Sequence, residues 1–231
     1  CEKMPVKDIS FDVNLAKGET KSIVFVLGCS MSDSQNKELI AKYTNLKNAE
    51  QELKNVKDYW DKTLGVVQVN SPDKSFNYMM NGWYLYQTLS ARIMAKAGFY
   101  QVSGAFGYRD QLQDAMNIAV VNPGYTKDQI LNNASHQFES GEVLDWWHEK
   151  NHFGLRSRYK DDYLWLVYAV NYYVEITGDY GILDIQVPYI EGEELSEYDM
   201  EKGMVFHYTD KTESLFHHCM KSIELSMDSL G

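Results

Sequence analysis

Two short stretches concentrate the side chains that could do chemistry. The first is the loop Gly98-Phe99-Tyr100-Gln101-Val102-Ser103-Gly104-Ala105-Phe106-Gly107-Tyr108-Arg109-Asp110, which runs on through Gln111, Gln113 and Asp114. Its glycines let the backbone approach a ligand closely or take positive φ, and the helix that follows presents free N–H groups at its start. Asp110 and Asp114 fall one turn apart on one helix face, with Arg109, Gln111 and Gln113 beside them. Carboxylate, guanidinium and amide together can fork hydrogen bonds to sugar hydroxyls. A first-turn Asp also serves simply to complement the helix dipole, which is the commoner use. Phosphate cradling by the glycines lacks the Gly-Lys-Ser or Gly-Lys-Thr of a P-loop.

The second stretch is Asp145-Trp146-Trp147-His148, followed by His152, Arg156, Arg158 and the pair Asp161-Asp162 before Tyr163-Leu164-Trp165-Leu166. Adjacent aromatic rings, an imidazole, guanidiniums and carboxylates this close together make a sugar site plausible. The carboxylates can orient hydroxyls or act as acid and base, and an Arg can hold an anion. Capping and first-turn charge explain Asp161-Asp162 equally well, and core packing is the plainer role for Trp165. His136, His207, His217 and His218 show no metal-ligand spacing, so no metal is expected.

These groups need elements to hold them. Ile9, Phe11, Val13 and Leu15 alternate, Lys17-Gly18-Glu19 breaks the run, and Ser22 to Leu27 is β-branched and apolar, which predicts a β-hairpin. A lone hairpin is marginal in water and has to pack on something. From Ser32 to about Leu64 the apolar spacing turns helical and predicts one long amphipathic connector. Asn70-Ser71-Pro72-Asp73 marks a fresh start before an apolar helix from Phe76 to Ala97. Further helices are predicted at about 109–121, 125–139, 161–177, 179–185 and 211–229, and beyond residue 30 almost nothing reads as strand. That rhythm of loop and apolar helix suits an α/α barrel or a helical bundle, and the physics alone does not choose.

The bulk numbers narrow the function. At 231 residues the chain can bury one good core with or without a small appendage. A net charge of −11 argues against nucleic acid or an anionic membrane as partner, since both require a basic face. No apolar run is long enough to cross a bilayer and the opening Cys1-Glu2-Lys3-Met4 is unlike a signal peptide, so the chain reads as soluble. Cysteines at 1, 29 and 219 have neither metal spacing nor an even count, and a reduced, cytoplasmic setting is expected.

Taken together, Tyr100-Gln101, the run Ser103 to Asp114, His136-Gln137-Phe138-Glu139, Trp146-Trp147-His148 and the run Arg156 to Leu166 closely resemble the glycoside hydrolase family ninety-four phosphorylases. The resemblance covers essentially the whole chain. It implies a mainly α fold: residues 1–31 as the end of an N-terminal β-sandwich, 32–71 as a helical linker, and 72–231 as the first half of an (α/α)6 barrel. The Ser103 to Asp114 run is more similar to β-1,2-oligoglucan phosphorylases and the phosphorylase-like region of cyclic β-1,2-glucan synthases than to cellobiose phosphorylase, where an Arg stands in place of Gly104.

The resemblance implies an inverting reaction in which phosphate attacks the anomeric carbon of a β-glucosyl unit and α-glucose 1-phosphate departs, with inorganic phosphate as co-substrate and no other cofactor. Asp110 matches the family's Asp that holds the glucosyl unit in subsite −1. The expected substrate-binding set is Arg109, Asp110, Gln113, Trp147, His148, Arg156, Asp161 and Asp162. No catalytic residue is assigned, because the family's general acid lies in a Gly-Asp-Trp-Asn-Asp motif that this sequence lacks. The chain is therefore expected to be an inactive piece of a longer enzyme, associating with itself or with a remaining barrel segment. Two alternatives stand beside this: an inverting α/α-barrel hydrolase using two of Asp110, Asp161 and Asp162, and a non-catalytic oligosaccharide-binding module.

Overall fold

The computed structural model describes residues 10–28, 30, 32–96 and 104–227. The first part of the glycine loop, Gly98 to Ser103, lies outside them, as do Ile9, Cys1, Cys29 and the last residues of the helix expected at 211–229. The chain divides into two compact units, Cys1–Asp61 and Lys62–Gly231, and helices make up about half of it. Among the described residues no helix is long and apolar enough to cross a membrane.

In the first unit the expected hairpin is only a reversal. Glu19 N–H closes a turn on the Ala16 carbonyl at 3.0 Å, Gly18 takes φ +83°, and the Phe11 and Phe25 rings stand 5.8 Å apart. No strand ladder forms between residues 10 and 28. Two extended arms with most of their apolar side chains in solvent lack the burial that would hold a pair together. The expected single connector is two helices, α1 (Asp33–Tyr43) and α2 (Leu46–Leu64). Asn45 separates them: its Oδ1 accepts from Lys47 N at 3.0 Å and Asn48 N at 3.3 Å, a local cap that competes with helix continuation.

The second unit opens with α3 (Lys74–Tyr78), capped by Asp73 at Ser75 N (2.8 Å) and Phe76 N (3.2 Å). The run continues through α4 (Tyr84–Gln87), with π-helical turns at Met79–Trp83 and Thr88–Met94. Four further helices form the core with the strands: α5 (Tyr108–Ile118), α6 (Pro123–Ala134), α7 (Lys160–Thr177) and α8 (Leu215–Ser226). The segment 179–185 is a 3-10 helix, Tyr180–Asp184.

Among the described residues six strands contradict the expectation that little beyond residue 30 is β. β1 (Phe106–Gly107), β2 (Val143–His148), β3 (Phe153–Ser157) and β5 (Glu201–Val205) form an antiparallel sheet in the order β1-β2-β3-β5. β4 (Gln186–Glu191) pairs with β6 (His207–Ser214). The residues that begin the helix expected at 211 belong to β6, and Ser214 caps α8 instead. β1 runs directly into α5 and β3 leads within three residues to α7, so the four-stranded sheet delivers the chain to both helix starts.

Two residues expected to bind substrate are core residues here. Trp147 is fully buried, its ring stacked on Phe106 (5.2 Å between centroids) and on His136 (4.0 Å), so no face is left for a sugar. Arg156 is buried over the Phe138 ring at 3.9 Å and its guanidinium is ion-paired with Glu142, with Nη1 donating to Glu193 O at 3.1 Å. A saturated, buried cation has little left to offer a ligand.

Removing Arg156 strands the half-paired Glu142, whose other cation, Arg158, is 3.8 Å away. Arg156→Met is expected to cost roughly 3 kcal/mol in urea denaturation, and Arg156→Met/Glu142→Met to recover much of that loss. A second expectation concerns His218, whose Nε2–H donates to Val187 O at 3.1 Å and whose ring stacks on Tyr189 at 4.2 Å. Burial holds its pKa down at about 4, against 6.5 for the free group. The unfolded chain then takes up a proton at His218 before the folded one does. Its contribution is present above pH 6.5 and lost as pH falls toward 4. The stability difference between wild type and His218→Gln should shrink over that window by up to about 1.4 kcal/mol per pH unit.

Candidate functional site

The two helix starts carry the site. α5 opens with Tyr108-Arg109-Asp110 directly after β1, and α7 opens with Lys160-Asp161-Asp162 after β3. Both first turns are acidic, which complements the positive end of each helix dipole. Asp161 and Asp162 thus keep the first-turn role that the sequence allowed them, and the packing of α5 against α7 gives them a partner as well.

That partner is Arg109. Its Nη1 donates to Asp161 Oδ2 at 2.6 Å, lies 4.0 Å from Asp162 Oδ1, and its Nε is 3.8 Å from Asp110 Oδ1. The guanidinium is 44% exposed and Asp161 58% exposed, whereas Asp162 is 1% exposed. Arg109 therefore spans a gradient from solvent to core. The neighbouring carboxylates hold its pKa up, the Asp161 hydrogen bond most of all.

Asp145 completes the group from β2. In the β2–β3 ladder Leu144 faces Arg156 and Trp146 faces Leu155, leaving Asp145 as the extra residue of a β-bulge. Burial raises the Asp145 carboxyl, while the neighbouring Asp162 carboxyl and the Arg109 charge draw it back. Asp162 is pushed up to about 7, first by burial and then by the charges of Asp145 and Asp161. On the solvent side Tyr159 donates to Glu201 Oε2 of β5 at 2.8 Å. One patch thus combines a partly exposed guanidinium, exposed and buried carboxyls and a phenol, a mixture that can bind a polyhydroxylated ligand and hold a proton.

Of the residues expected from sequence, Arg109, Asp110, Asp161 and Asp162 come together. Gln113 lies further along α5, in a separate open recess of about 510 Å³ with Asp114, Asn117, Trp165, Tyr168 and Tyr172. His148 lines another recess of about 430 Å³ with Lys96, Gly104, Phe106 and Asn151. Trp147 and Arg156 are the core residues described above. Asp114 is engaged by Arg92, whose Nε reaches Oδ2 at 2.6 Å. Asp145 was visible as part of the Asp-Trp-Trp-His run but not as a site residue, because a bulge has no signal in a single sequence.

Behind Trp147 a polar relay runs from the buried His136 out to the exposed Glu149 and Tyr208, an assembly with no local signal in the sequence. His136 Nδ1 donates to Asn132 O at 2.7 Å, which leaves Nε2 to accept from Tyr208 Oη at 3.0 Å. Trp147 Nε1 donates to Glu149 Oε1 at 2.9 Å, and that oxygen lies 3.5 Å from His136 Nε2. Burial holds His136 down at about 4, so the ring is neutral and the relay supports the indole rather than forming an ion pair. Among the described residues no group of three or more His, Cys, Asp or Glu is arranged to hold a metal ion.

Residues 59–231 match the family model described as the glycosyl hydrolase 94 superfamily, catalytic domain. The chain is 35% identical over 226 residues to the cyclic β-(1,2)-glucan synthase NdvB of Rhizobium meliloti (strain 1021), covering 96% of this chain and 8% of that protein. It is 28% identical over 213 residues to the N,N'-diacetylchitobiose phosphorylase of Vibrio furnissii, covering 80% of this chain and 26% of that protein. It is 33% identical over 126 residues to the solabiose phosphorylase of Paenibacillus borealis, covering 54% and 15%. The chain thus spans between 8% and 26% of the lengths of these relatives. With the family model matching three quarters of its length, on the very segment that holds the Arg109 and Asp162 cluster, this chain belongs to the glycosyl hydrolase 94 family.

Proposed function

We propose that this chain forms part of a glycoside phosphorylase that cleaves β-linked gluco-oligosaccharides by inverting phosphorolysis, and also runs the reverse synthesis. One observation carries the reading: Arg109 and Asp110, at the start of α5, are brought against Asp161 and Asp162 at the start of α7 in the segment matched by the family model. Phosphate oxygen attacks the anomeric carbon, the glycosidic C–O bond breaks with inversion, and a carboxylic acid gives its proton to the leaving oxygen. Asp110 accepts hydrogen bonds from hydroxyls of the glucosyl unit, and Arg109, fixed by Asp161, presents its remaining N–H groups beside it. The β-1,2 linkage is our preferred assignment, and an (α/α)6 barrel with an N-terminal sandwich and a helical linker our preferred architecture for the complete enzyme. Inorganic phosphate is the co-substrate and the cytoplasm the setting.

The general acid is the part we do not assign to this chain, since its sequence contains no Trp-Asn-Asp. The hydrolase alternative needs two carboxyls able to reach water and substrate. Asp162, 1% exposed, is poorly placed to be one of them. A non-catalytic binding module would use the same Arg109 and Asp110 edge without turnover.

Phosphate release from α-glucose 1-phosphate, with sophorose, cellobiose or laminaribiose as acceptor, tests the reading on this chain and on a longer chain that carries a Trp-Asn-Asp motif. Activity is expected only from the longer chain, with one acceptor preferred. In that chain Asp110→Asn should lower kcat/KM by about a hundredfold or more. Phosphate-independent cleavage would instead point to the hydrolase, and sugar binding without turnover in both chains to the binding module.

A further inference from the structure

Asp162 presents an unsolved account of hydrogen bonds. It is 1% exposed, and neither carboxylate oxygen meets a donor. The nearest cation, Arg109 Nη1, stands 4.0 Å away and is already committed to Asp161 at 2.6 Å. A carboxylate buried on those terms is strongly disfavoured. The group that does lie within hydrogen-bonding reach is another carboxyl, that of Asp145. Two carboxylates have only acceptors to show each other, so the contact becomes a bond only if one of them carries a proton.

The placement of Asp145 is itself specific. As the unpaired residue of the bulge it stands outside the ladder pairing that sets Leu144 and Trp147 on one buried face. Bulges re-aim side chains in this way beside functional sites. The surrounding groups are mostly acidic or phenolic: Tyr108, Arg109 and Asp110 from α5, Tyr159 before α7, Asp161 and Tyr163 on it, and Glu201 from β5. Among the described residues Arg109 is the one cation that these interactions bring to the pair.

We propose that Asp145 and Asp162 share one proton and act as a positioning pair for Arg109, which rests on the reading of the Arg109 and Asp110 edge as a sugar site. With the proton in place, Asp162 makes no full charge to compete for the guanidinium. Arg109 stays turned outward to Asp161, and Asp110 keeps its oxygens for ligand hydroxyls. When the proton is lost, the buried Asp162 carboxylate, with no donor of its own, draws Nη1 inward from 4.0 Å. The displacement of Asp162 to about 7, caused first by burial, puts that change near neutrality. The pair so acts through Arg109 and does not itself touch substrate.

The 231-residue chain, labelled with 13C at the Asp carboxyls and 15N at the Arg guanidiniums, allows a direct test by NMR titration. One Asp carboxyl is expected to titrate near neutral pH, with the Arg109 guanidinium signal following the same step. Asp162→Asn, which mimics the protonated acid, should abolish both changes while leaving Arg109 at its low-pH shift. Asp145→Asn should move the Asp162 step to lower pH, because a like charge is removed. Carboxyls that all titrate below pH 5, or an Arg109 signal indifferent to the step, would overturn the proposal. Sophorose affinity gives the separate arm. Wild type should lose up to about tenfold per pH unit above the step, the limit for one linked proton, and Asp162→Asn should bind with a flat profile. If the NMR steps are present and no gluco-oligosaccharide binds at any pH, the proton pair stands and the sugar reading fails.

Discussion

Trp147 sets the register on which the site depends. In a regular strand, side chains three residues apart lie on opposite faces, yet Leu144 and Trp147 are both fully buried. The β2 strand achieves this only by carrying one extra residue, Asp145, against β3. An indole buried between Phe106 and His136, edge-on to Tyr108 and hydrogen-bonded through Nε1 to Glu149, holds that register with far more buried area than a single aliphatic residue. A slip of one residue would expose the ring and turn Asp145 back toward the ladder.

From that constraint the charge arrangement follows. The same sheet that grips Trp147 leads through β1 into α5 and from β3 toward α7, so the two helix starts are fixed relative to the bulge. Asp110 and Asp161 each gain from the positive end of a helix, which offsets part of the mutual repulsion of so many carboxyls. Arg109 supplies the rest, facing three of them at between 2.6 and 4.0 Å. The gradient of burial from Asp161 to Asp162 then decides how each behaves. The exposed one meets the Arg109 guanidinium at the solvent edge, and the buried one, with no donor of its own, is driven to hold a proton.

The helices were legible in the sequence because their signals are local. Asp73 and the apolar spacing after it, the acidic first turn at Asp161-Asp162 and the terminal Gly178 at φ +69° mark their elements without tertiary help. The strands were not, for reasons that particular residues make plain. Phe106–Gly107 is two residues long, Val143–His148 has its alternation interrupted by the bulge, and His207–Ser214 is largely exposed and carries three charged residues, so it offers no apolar period. At the site, Arg109, Asp110, Asp161 and Asp162 were readable as helix-start residues, but their convergence comes from the packing of α5 on α7. The break at Asn45 between α1 and α2 was missed because a side-chain cap inside an amphipathic run looks like one more polar position.

Arg156 and Arg109 show why residue type alone misleads at such sites. Both sit in stretches dense with binding groups, and both meet carboxylates. Arg156 has its Nε and Nη2 on Glu142, its Nη1 on Glu193 O and its face on Phe138, so it is bound on every side and serves the fold. Arg109 makes one hydrogen bond, to Asp161, and leaves the rest of its fork to solvent beside Asp110. Asp162 is the converse case, a group placed where its bonding capacity goes unmet. A fold bears that cost at few positions. Here the cost falls 4.0 Å from the Arg109 guanidinium, where a shift of charge has somewhere to act.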